Sequence, residues 1–244
     1  TQAQRSSCCP KLVCMLSIPP YLQKTYWWAY GHPRAVRLFE RAWLVNLILF
    51  GNYRRLCNQA LALLGTPIQG NTLQVACVYG NLTAKLIGRM SPGGTLKVID
   101  ILPIQLANLA RKIETDPRVT LSRCDASALP DQDGSYDQVL LFFLLHEQPE
   151  AARRATLSEA LRVVRPGGKV VIVDYHKPRA WHPLKPLMRL IFKYLEPFAM
   201  DLWRHDLAYY LPADGGVLDI THATAFGRLY QIRVLKPQAQ STPA

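Results

Sequence analysis

The sequence predicts an α/β fold, a mostly parallel sheet with helices on both faces. Between residues 73 and 176, short apolar segments alternate with amphipathic segments, as strands joined by crossover helices do. The chain has 244 residues and a hydrophobic content of 49%, which suits one packed domain. We therefore expect a single domain over residues 26–237, preceded by a flexible or processed segment, residues 1–25, and followed by a tail, residues 238–244.

The expected elements follow one another in a regular order. Residues 34–64 have apolar positions at spacings of three and four, which predicts one or two helices that end at Gly65 and Pro67. The alternating region then predicts strands at residues 73–78, 95–101, 119–125, 136–145 and 170–176, and helices at residues 82–90, 103–115 and 149–164. Residues 221–237 have two β-rich halves around Phe226-Gly227, which predicts an antiparallel hairpin closing the sheet.

An amphipathic insertion, residues 181–211, separates the alternating region from this hairpin. Lys185, Arg189 and Lys193 are spaced four apart, and leucines cover much of the remaining helix surface. A basic amphipathic helix with flanking tryptophans is typical of an element on an anionic membrane surface, although an ordinary helix packed on the domain explains it equally well. The formal charge of +12 also favours an anionic partner over none. We expect no nucleic-acid binding, because no RNA-binding signature or regular basic stripe is present.

Two acidic residues follow neighbouring strands of the predicted sheet. Asp100 ends the second strand and Asp125 follows the third. A carboxylate at the end of the second strand can accept hydrogen bonds from both hydroxyls of a ribose, although either acid could instead be a helix cap or turn former. Together with the motif LRVVRPGGKVVIVD, the placement of these two acids resembles that in the class I methyltransferases that use S-adenosyl-L-methionine (SAM). That resemblance implies a SAM site in which Asp125 contacts the adenine, with Ile101 and Ala126 beside the two acids.

The turn after the first strand departs from that family. Where the family has an acid and three alternating glycines, this chain has Gln74, Ala76, Val78 and Gly80. Val78 is β-branched and adopts positive φ only at a cost, so we expect a turn with a different course or a SAM whose methionine end lies differently. We predict that Gln74, Ala76, Tyr79 and Gly80 contact the cofactor. Tyr79 either directs its phenol into the site or fills volume that the ligand would leave.

Histidines and carboxylates end the fourth and fifth predicted strands. His146 and Glu147 follow the fourth strand, and Asp174 and His176 end the fifth. Because the carboxyl ends of parallel strands meet at one edge of the sheet, these four side chains are plausible ligands for Mn(II) or Mg²⁺. Either histidine could also act as a base near neutral pH. Each histidine alone could equally be a helix cap or a satisfied core residue.

An aromatic segment lies before the first predicted helix. Tyr26, Trp27, Tyr30 and His32 fall within eight residues of one another, in a region that this fold places over the substrate side. Aromatic side chains with polar tips suit a flat apolar ring that carries carbonyl groups. We predict that these four residues bind the substrate; the alternative is a lid that packs on the core without touching a ligand.

From Tyr26 to Lys236 the chain resembles the RquA-type rhodoquinone biosynthesis proteins. The resemblance rests on YWWAYGHPRAV, FERAWLVN, VYGNLT, LFFLLHEQP and RPGGKVVIVDYHKP; a looser likeness links the chain to the ubiquinone and menaquinone methyltransferases. It implies conversion of ubiquinone to rhodoquinone, in which an amino group replaces a ring methoxy group, SAM is the amino donor and Mn(II) assists. Tyr79, His146 and His176 are then the candidate catalytic residues.

The same resemblance implies a peripheral enzyme on an inner membrane, at the bacterial cytoplasmic face or the mitochondrial matrix face. Two other functions remain compatible with the sequence. One is a conventional SAM-dependent methyltransferase acting on a lipophilic ring, against which Ala76 and Val78 count. The other is a non-catalytic protein that keeps the fold as a lipid- or partner-binding module.

Overall fold

The computed structural model of the protein describes residues 17–213 and 217–237. The expectation for residues 1–25 falls mostly outside these ranges, and the expected tail, residues 238–244, falls wholly outside them. Residues 20–21 are α-helical and continue into a π-helical segment, Leu22–Gly31, which we name the lid helix. In the described ranges, no helix combines the length and the apolar content needed to cross a bilayer.

The sheet confirms the predicted α/β architecture. Over residues 17–213 and 217–237, seven strands lie in the order β3-β2-β1-β4-β5-β7-β6. Strands β1 to β5 pair in parallel, whereas β7 is antiparallel to both of its neighbours and so forms the predicted hairpin with β6. The strands are β1 (Asn71–Val75), β2 (Thr95–Asp100), β3 (Val119–Arg123), β4 (Tyr136–Phe142), β5 (Val164–Tyr175), β6 (Val217–Ala225) and β7 (Tyr230–Pro237).

Helices cover both faces of the sheet. They are α1 (Pro33–Phe39), α2 (Ala42–Ile48), α3 (Tyr53–Leu64), α4 (Leu82–Ile87), α5 (Pro103–Ala110), α6 (Glu150–Val163), α7 (Lys185–Tyr194) and α8 (Asp201–Arg204), with short 3₁₀ turns at Leu145–Glu147 and Leu207–Tyr210. The helical stretch predicted at residues 34–64 is therefore three helices. It breaks before α3 because Phe50 and Gly51 adopt positive φ, at 50° and 79°, which no α-helix tolerates.

The core has two layers because the central strands are buried on both faces. Successive side chains of a strand point to opposite faces. Leu140 and Phe142 of β4 accordingly join one apolar cluster, and Val139 and Leu141 join the other. Each such fully buried aliphatic side chain contributes about 2 kcal/mol of hydrophobic free energy, so the sheet is a rigid support for what lies at its carboxyl edge.

Strand β4 ends earlier than the sequence predicts. The strand was expected to reach residue 145, but Phe143 adopts a positive φ of 53° and the chain then enters the turn Leu145–Glu147. That change of direction brings His146 and Glu147 over the carboxyl end of the sheet, next to the end of β5.

Candidate active site

A cavity of about 610 Å³ lies at the carboxyl ends of the parallel strands. This edge is where open α/β sheets bind their ligands. The lid helix, α2 and α7 cover the cavity, and most of its wall is apolar or aromatic. Polar groups reach it from the strand ends and from the covering helices: Tyr30, Tyr79, Asp100, Gln105, Asp125, His146, Glu147 and Glu196.

The turn after β1 keeps two left-handed positions. Ala76 has a φ of 73° and Gly80 a φ of 87°, whereas Val78 is not among the residues with positive φ. An alanine in this region is strained by about 1–2 kcal/mol. The turn thus avoids a β-branched residue at positive φ and carries its strain at Ala76, which lines the cavity.

Gln74 lies beneath this turn and is not in the cavity wall. Its side chain is fully buried; its Nε2 donates to the Ala76 carbonyl at 3.0 Å, and its Oε1 accepts from the Thr83 hydroxyl at 3.0 Å. Because both ends of the amide are engaged by the turn and by α4, Gln74 braces the strained Ala76. Gln74 therefore supports the turn and does not line the cavity, whereas the sequence analysis predicts that it contacts the cofactor.

Gly80 also lies outside the cavity wall. Its N–H donates to Glu40 at 3.1 Å, and a Cβ at this position would come within 2.5 Å of the Tyr53 hydroxyl. Glu40 in turn accepts from Lys112 at 2.5 Å and from Asn108. The turn is thus held from outside by a carboxylate at the end of α1, which the sequence analysis did not identify.

Asp100 is fixed by the backbone of the two loops beside it. Cys77 N–H donates to its Oδ2 and Leu102 N–H to its Oδ1, both at 2.8 Å. Burial raises the pKa of Asp100 to about 6, although these hydrogen bonds act to lower it. Each carboxylate oxygen has a second lone pair, so the group can accept two hydroxyls at the cavity wall.

Asp125 follows β3 and lines the cavity. Its Oδ1 accepts from the backbone N–H and the hydroxyl of Ser127, at 2.8 and 2.7 Å. It therefore forms a turn, as one interpretation of the sequence expects, and it also lines the cavity, as the other expects. Ile101 and Ala126 line the cavity beside the two acids.

A cluster of titratable groups stands at the ends of β4 and β5. His146 Nδ1 lies 2.9 Å from Asp174 Oδ1, and its Nε2 lies 3.7 Å from Glu147 Oε1 and 3.9 Å from Glu196 Oε2. Burial lowers the pKa of His146, but Asp174 and the two glutamates outweigh it and raise that pKa to about 9. We name His146, Asp174, Glu147 and Glu196 the acid–histidine cluster.

The two glutamates of the cluster hold protons more tightly than exposed carboxyls do. Burial raises the pKa of Glu147, with the Glu196 charge adding to it, and burial likewise raises the pKa of Glu196. The Tyr30 hydroxyl donates to Glu147. Glu196 Oε2 is buried and, in the described part of the chain, accepts no hydrogen bond of normal geometry, although the nearby Tyr26 hydroxyl acts to lower the pKa of this carboxyl. An unsatisfied buried oxygen at a cavity wall is a position where a ligand proton can be received.

His176 lies apart from this cluster. Its Nδ1 faces the carbonyls of Lys177 and Arg228, each at 3.0 Å, and its ring lies 5.5 Å from His222. Strand β5 ends at Tyr175, and the His176 N–H then donates to the Leu229 carbonyl at 2.8 Å. The hairpin β6–β7 therefore draws His176 away from the cavity.

Three of the predicted metal ligands, His146, Glu147 and Asp174, lie together in the acid–histidine cluster, but the fourth does not join them. His176 is remote, and Asp174 is occupied by the His146 ring and by the N–H groups of Leu145 and Tyr175. Over residues 17–213 and 217–237, no group of three or more histidine, cysteine, aspartate or glutamate side chains is arranged to hold a metal ion. These residues do not fit the Mn(II) site that the sequence analysis expects.

Of the four aromatic-segment residues predicted to bind substrate, Tyr30 alone lines the cavity. Tyr26 is buried against Phe198, with the two ring centroids 6.4 Å apart. Trp27 is exposed, and His32 caps α1 by accepting from the Arg34 N–H at 3.3 Å. The segment therefore serves mainly as a cover that is packed on the core.

Tyr79 connects this cover to the first turn. Its hydroxyl donates to the Ala29 carbonyl at 2.7 Å and accepts from Gln105 Nε2 at 2.9 Å. Its ring stacks on Tyr30, with centroids 5.5 Å apart. Tyr79 lines the cavity with its ring, while its hydroxyl is engaged in holding the lid helix.

Comparison with known proteins agrees with this geometry. Residues 72–168 match the family model of a methyltransferase domain. The crystal structure of N-methyltransferase NodS from Bradyrhizobium japonicum, in complex with S-adenosyl-L-homocysteine, superposes with a TM-score of 0.54 over 76% of this chain and 87% of that chain, at 14% identity. The fold is that of a class I SAM-dependent methyltransferase.

Relatives in sequence carry methyltransferase names as well. The demethylmenaquinone methyltransferase of Bacillus licheniformis is 28% identical over 152 residues, which is 62% of this chain and 64% of that protein. The match thus spans slightly less than two thirds of that relative. An uncharacterized methyltransferase of Synechocystis is 27% identical over 215 residues, covering 88% of this chain and 96% of that protein.

The sequence analysis missed two residues: Glu40, which holds the turn after β1, and Glu196, which lines the cavity. Neither belongs to a strand end, which is why reasoning from the sheet edge missed both. One signal was present for Glu196, since it is the only acidic residue in residues 181–200.

Proposed function

We propose that the protein is a SAM-dependent transferase that acts on a lipophilic quinone and converts ubiquinone to rhodoquinone. The observation that carries this proposal is one cavity with two unlike parts. Asp100 and Asp125 supply acceptors suited to an adenosine, whereas most of the remaining wall is aromatic or apolar and also contains His146, Glu147 and Glu196. The Bacillus relative is named for a reaction on demethylmenaquinone, which supports a quinone ring as the acceptor.

SAM, when bound, supplies the amino group that replaces the ring methoxy group. Asp100 accepts the ribose hydroxyls, because its position is fixed by the N–H groups of Cys77 and Leu102. Asp125, with Ile101 and Ala126, borders the adenine. The amino-acid end of SAM then lies by the turn at Ala76, where this chain departs from the usual glycines.

Amination places a demand on the protein that the acid–histidine cluster can meet. The ammonium group must lose a proton before its nitrogen can bond to the ring, and the departing methoxy oxygen must gain one to leave as methanol. The bond from that nitrogen to Cα of the donor must also break: the quinone ring takes the Cα hydrogen with two electrons, and water then releases the donor as a 2-oxo acid and the product as the reduced aminoquinone. His146 has a pKa of about 9 and is therefore protonated near neutral pH, so it can give its Nε2 proton to the leaving oxygen. Glu147 and Glu196 lie 3.7 and 3.9 Å from that nitrogen, so a proton that a carboxylate has taken from the amine can then replace it. The buried, unsatisfied Oε2 of Glu196 is the acceptor we assign to the amine.

Mn(II) belongs to this proposal only through the resemblance. His176 lies away from the other three expected ligands, and no group of side chains in the described residues is arranged to hold a metal ion. The protein's own groups account for binding, orientation and proton movement.

Labelled SAM distinguishes the possible reactions. The protein is incubated with ubiquinone and with SAM that carries ¹⁵N in its amino group and ¹³C in its methyl group, and the quinones are analysed by mass spectrometry. We expect a product that has lost one methoxy group and gained ¹⁵N. A quinone that gains ¹³C without ¹⁵N would overturn the amination.

Conventional methyl transfer to a lipophilic quinone or phenol is the second candidate. The names of the relatives and the matched methyltransferase domain favour it, and the same experiment with ¹³C detects it. A non-catalytic lipid-binding protein would bind no SAM, so calorimetric titration with SAM separates that function from both reactions.

A further inference from the structure

The mouth of the cavity is bordered by exposed apolar side chains from two helices. Leu47 and Ile48 of α2, and Leu187 of α7 with Leu195 just after it, line the cavity and are nevertheless exposed to solvent. A side chain can line the cavity and also be exposed to solvent only at the opening of the cavity. The two helices therefore form the rim through which a ligand enters.

The same apolar surface continues outward along both helices. Trp43 stands one turn before Leu47 on α2 and is 59% exposed, and Leu190 and Tyr194 stand three and seven residues after Leu187 on α7, at 55% and 66%. Residues at these spacings share one face of a helix. An exposed apolar surface of this extent marks an interaction site. We name these residues, with those of the rim, the rim face.

Basic side chains lie beside the apolar ones on α7. Arg189 and Lys193 are exposed and four residues apart, and Lys193 Nζ lies 5.0 Å from the centroid of the Tyr194 ring. Meanwhile Met188 and Phe192 are the buried residues by which α7 packs on the domain. The helix thus has one face for the core and another that combines leucine, tyrosine and cations, which is the composition of a helix at a lipid headgroup boundary.

We propose that the rim face is a bilayer-docking surface that seats the mouth of the cavity on an anionic lipid membrane. Leucine and tryptophan enter the boundary between headgroups and acyl chains, while Arg189 and Lys193 extend to the anionic headgroups. A protein partner fits less well, because cations scattered among aliphatic side chains match a fluid layer of headgroups. In its use of a lipophilic substrate this inference rests on the proposed function, since docking lets that substrate pass from lipid to cavity without crossing water.

Vesicle binding tests the docking surface without any reaction. The purified chain is floated with vesicles of phosphatidylcholine alone or of phosphatidylcholine mixed with phosphatidylglycerol, in the absence of SAM and quinone. We expect binding to the mixed vesicles, weaker binding to phosphatidylcholine alone, and a loss of binding as salt is raised. Absence of binding to the mixed vesicles would overturn the proposal.

Two double variants locate the surface. Arg189→Glu with Lys193→Glu should weaken binding to the mixed vesicles about tenfold or more. Trp43→Gln with Leu190→Gln should weaken binding to both kinds of vesicle, and neither Trp43 nor Leu190 lines the cavity. The matched charge control is Arg54→Glu with Arg55→Glu, two exposed residues of α3. An equal loss in this control would show that net charge alone attracts the protein and would overturn the assigned face.

Failure of docking and failure of the quinone reaction are distinguishable. If the rim-face variants lose vesicle binding but the labelled-SAM experiment gives no aminated quinone, docking stands and the reaction falls. If a short-chain, water-soluble quinone is aminated equally by the wild type and the rim-face variants while neither binds vesicles, the reaction stands and docking falls.

Discussion

At the scale of single residues, the first turn shows how a glycine position has been filled. Ala76 has a φ of 73° and is supported by the Gln74 amide. Its strain is local, since it comes from the contact of Cβ with the adjacent backbone. Replacing Ala76 with glycine therefore tests the strain of the turn and removes only one methyl group from the cavity wall.

Ala76→Gly should raise the free energy of unfolding by up to about 1 kcal/mol. The glycine relieves the left-handed strain, and the greater freedom of the unfolded chain offsets part of that gain. Urea unfolding measures the change. The matched control is Ala84→Gly on the exposed side of α4, which should lower stability by about 1 kcal/mol; a loss of stability in both variants would contradict the assigned strain.

Asp100 should make stability depend on pH. Its pKa is raised by burial from the ordinary value of 3.8 to about 6, so the folded state binds a proton more tightly than the unfolded state. The contribution is fully present below pH 3.8 and is lost as pH rises to about 6, by at most about 3 kcal/mol. Asp100→Asn should remove that slope in urea unfolding at a series of pH values. An unchanged slope would show that Asp100 is not the group responsible.

Glu196→Gln should separate catalysis from SAM binding. The amide keeps the shape of the side chain but cannot take a proton, so we expect a fall in quinone product of about a hundredfold. SAM affinity by calorimetry should stay close to that of the wild type, because Asp100 and Asp125 are untouched. Glu196→Asp, which keeps the carboxylate, should recover part of the activity; wild-type turnover in the glutamine variant would exclude Glu196 as the proton acceptor.

At the scale of elements, the lid helix is attached through few contacts that lie far apart in sequence. Tyr30 reaches Glu147, Tyr79 reaches Ala29, and Gln105 donates to the Tyr30 carbonyl at 3.0 Å. These contacts join the lid helix to the first turn, to the end of β4 and to α5. The cover of the cavity is therefore held by the same residues that shape its wall.

Tyr79→Phe should loosen the lid helix while leaving the sheet intact. The variant loses the hydroxyl that donates to Ala29 and accepts from Gln105, a change of about 1–2 kcal/mol. Hydrogen exchange should accelerate over residues 22–31 and remain unchanged over β4. Tyr194→Phe, at an exposed position, is the control; equal exchange in the two variants would show that Tyr79 does not hold the lid.

At the scale of the whole molecule, the sequence predicted the sheet and its ligand edge but only part of the site. Asp100, Ile101, Asp125 and Ala126 were predictable, because residues at the carboxyl ends of parallel strands lie together whatever the helices do. Glu196 was not predictable in this way, since its place depends on how α7 packs over the cavity.

A prediction from the sequence misplaces residues at the sheet edge when the chain changes direction there. His176 directly follows β5, where a site residue would be expected. Its N–H pairs with the Leu229 carbonyl of the hairpin, so the side chain does not reach the cavity. Tyr79 and Gln74 lie where the sequence placed them along the chain, yet their hydrogen bonds face the lid helix and the turn. Side-chain partners of this kind depend on tertiary packing, which spacing alone does not encode.

Binding of SAM should stabilise the entire domain. The cavity joins the lid helix, the sheet edge and α7, so a ligand that favours the folded state raises the unfolding midpoint of all of them. At a concentration of about a hundred times the dissociation constant, the gain is roughly 2.7 kcal/mol. Differential scanning fluorimetry measures the shift. Asp100→Ala should abolish it, whereas an equal shift in that variant would place SAM elsewhere.

The contacts between the lid helix and the segment after α7 have a consequence for biosynthesis. Tyr26 packs on Phe198, and the Tyr30 hydroxyl donates to Glu147, which lies 117 positions further along the chain. A ribosome completes the N-terminal part of the cavity long before it makes the residues that close it. During translation the aromatic side chains of residues 22–31 therefore stay exposed until Glu147 and Phe198 have been synthesised. Until then, the nascent chain carries an uncovered apolar surface.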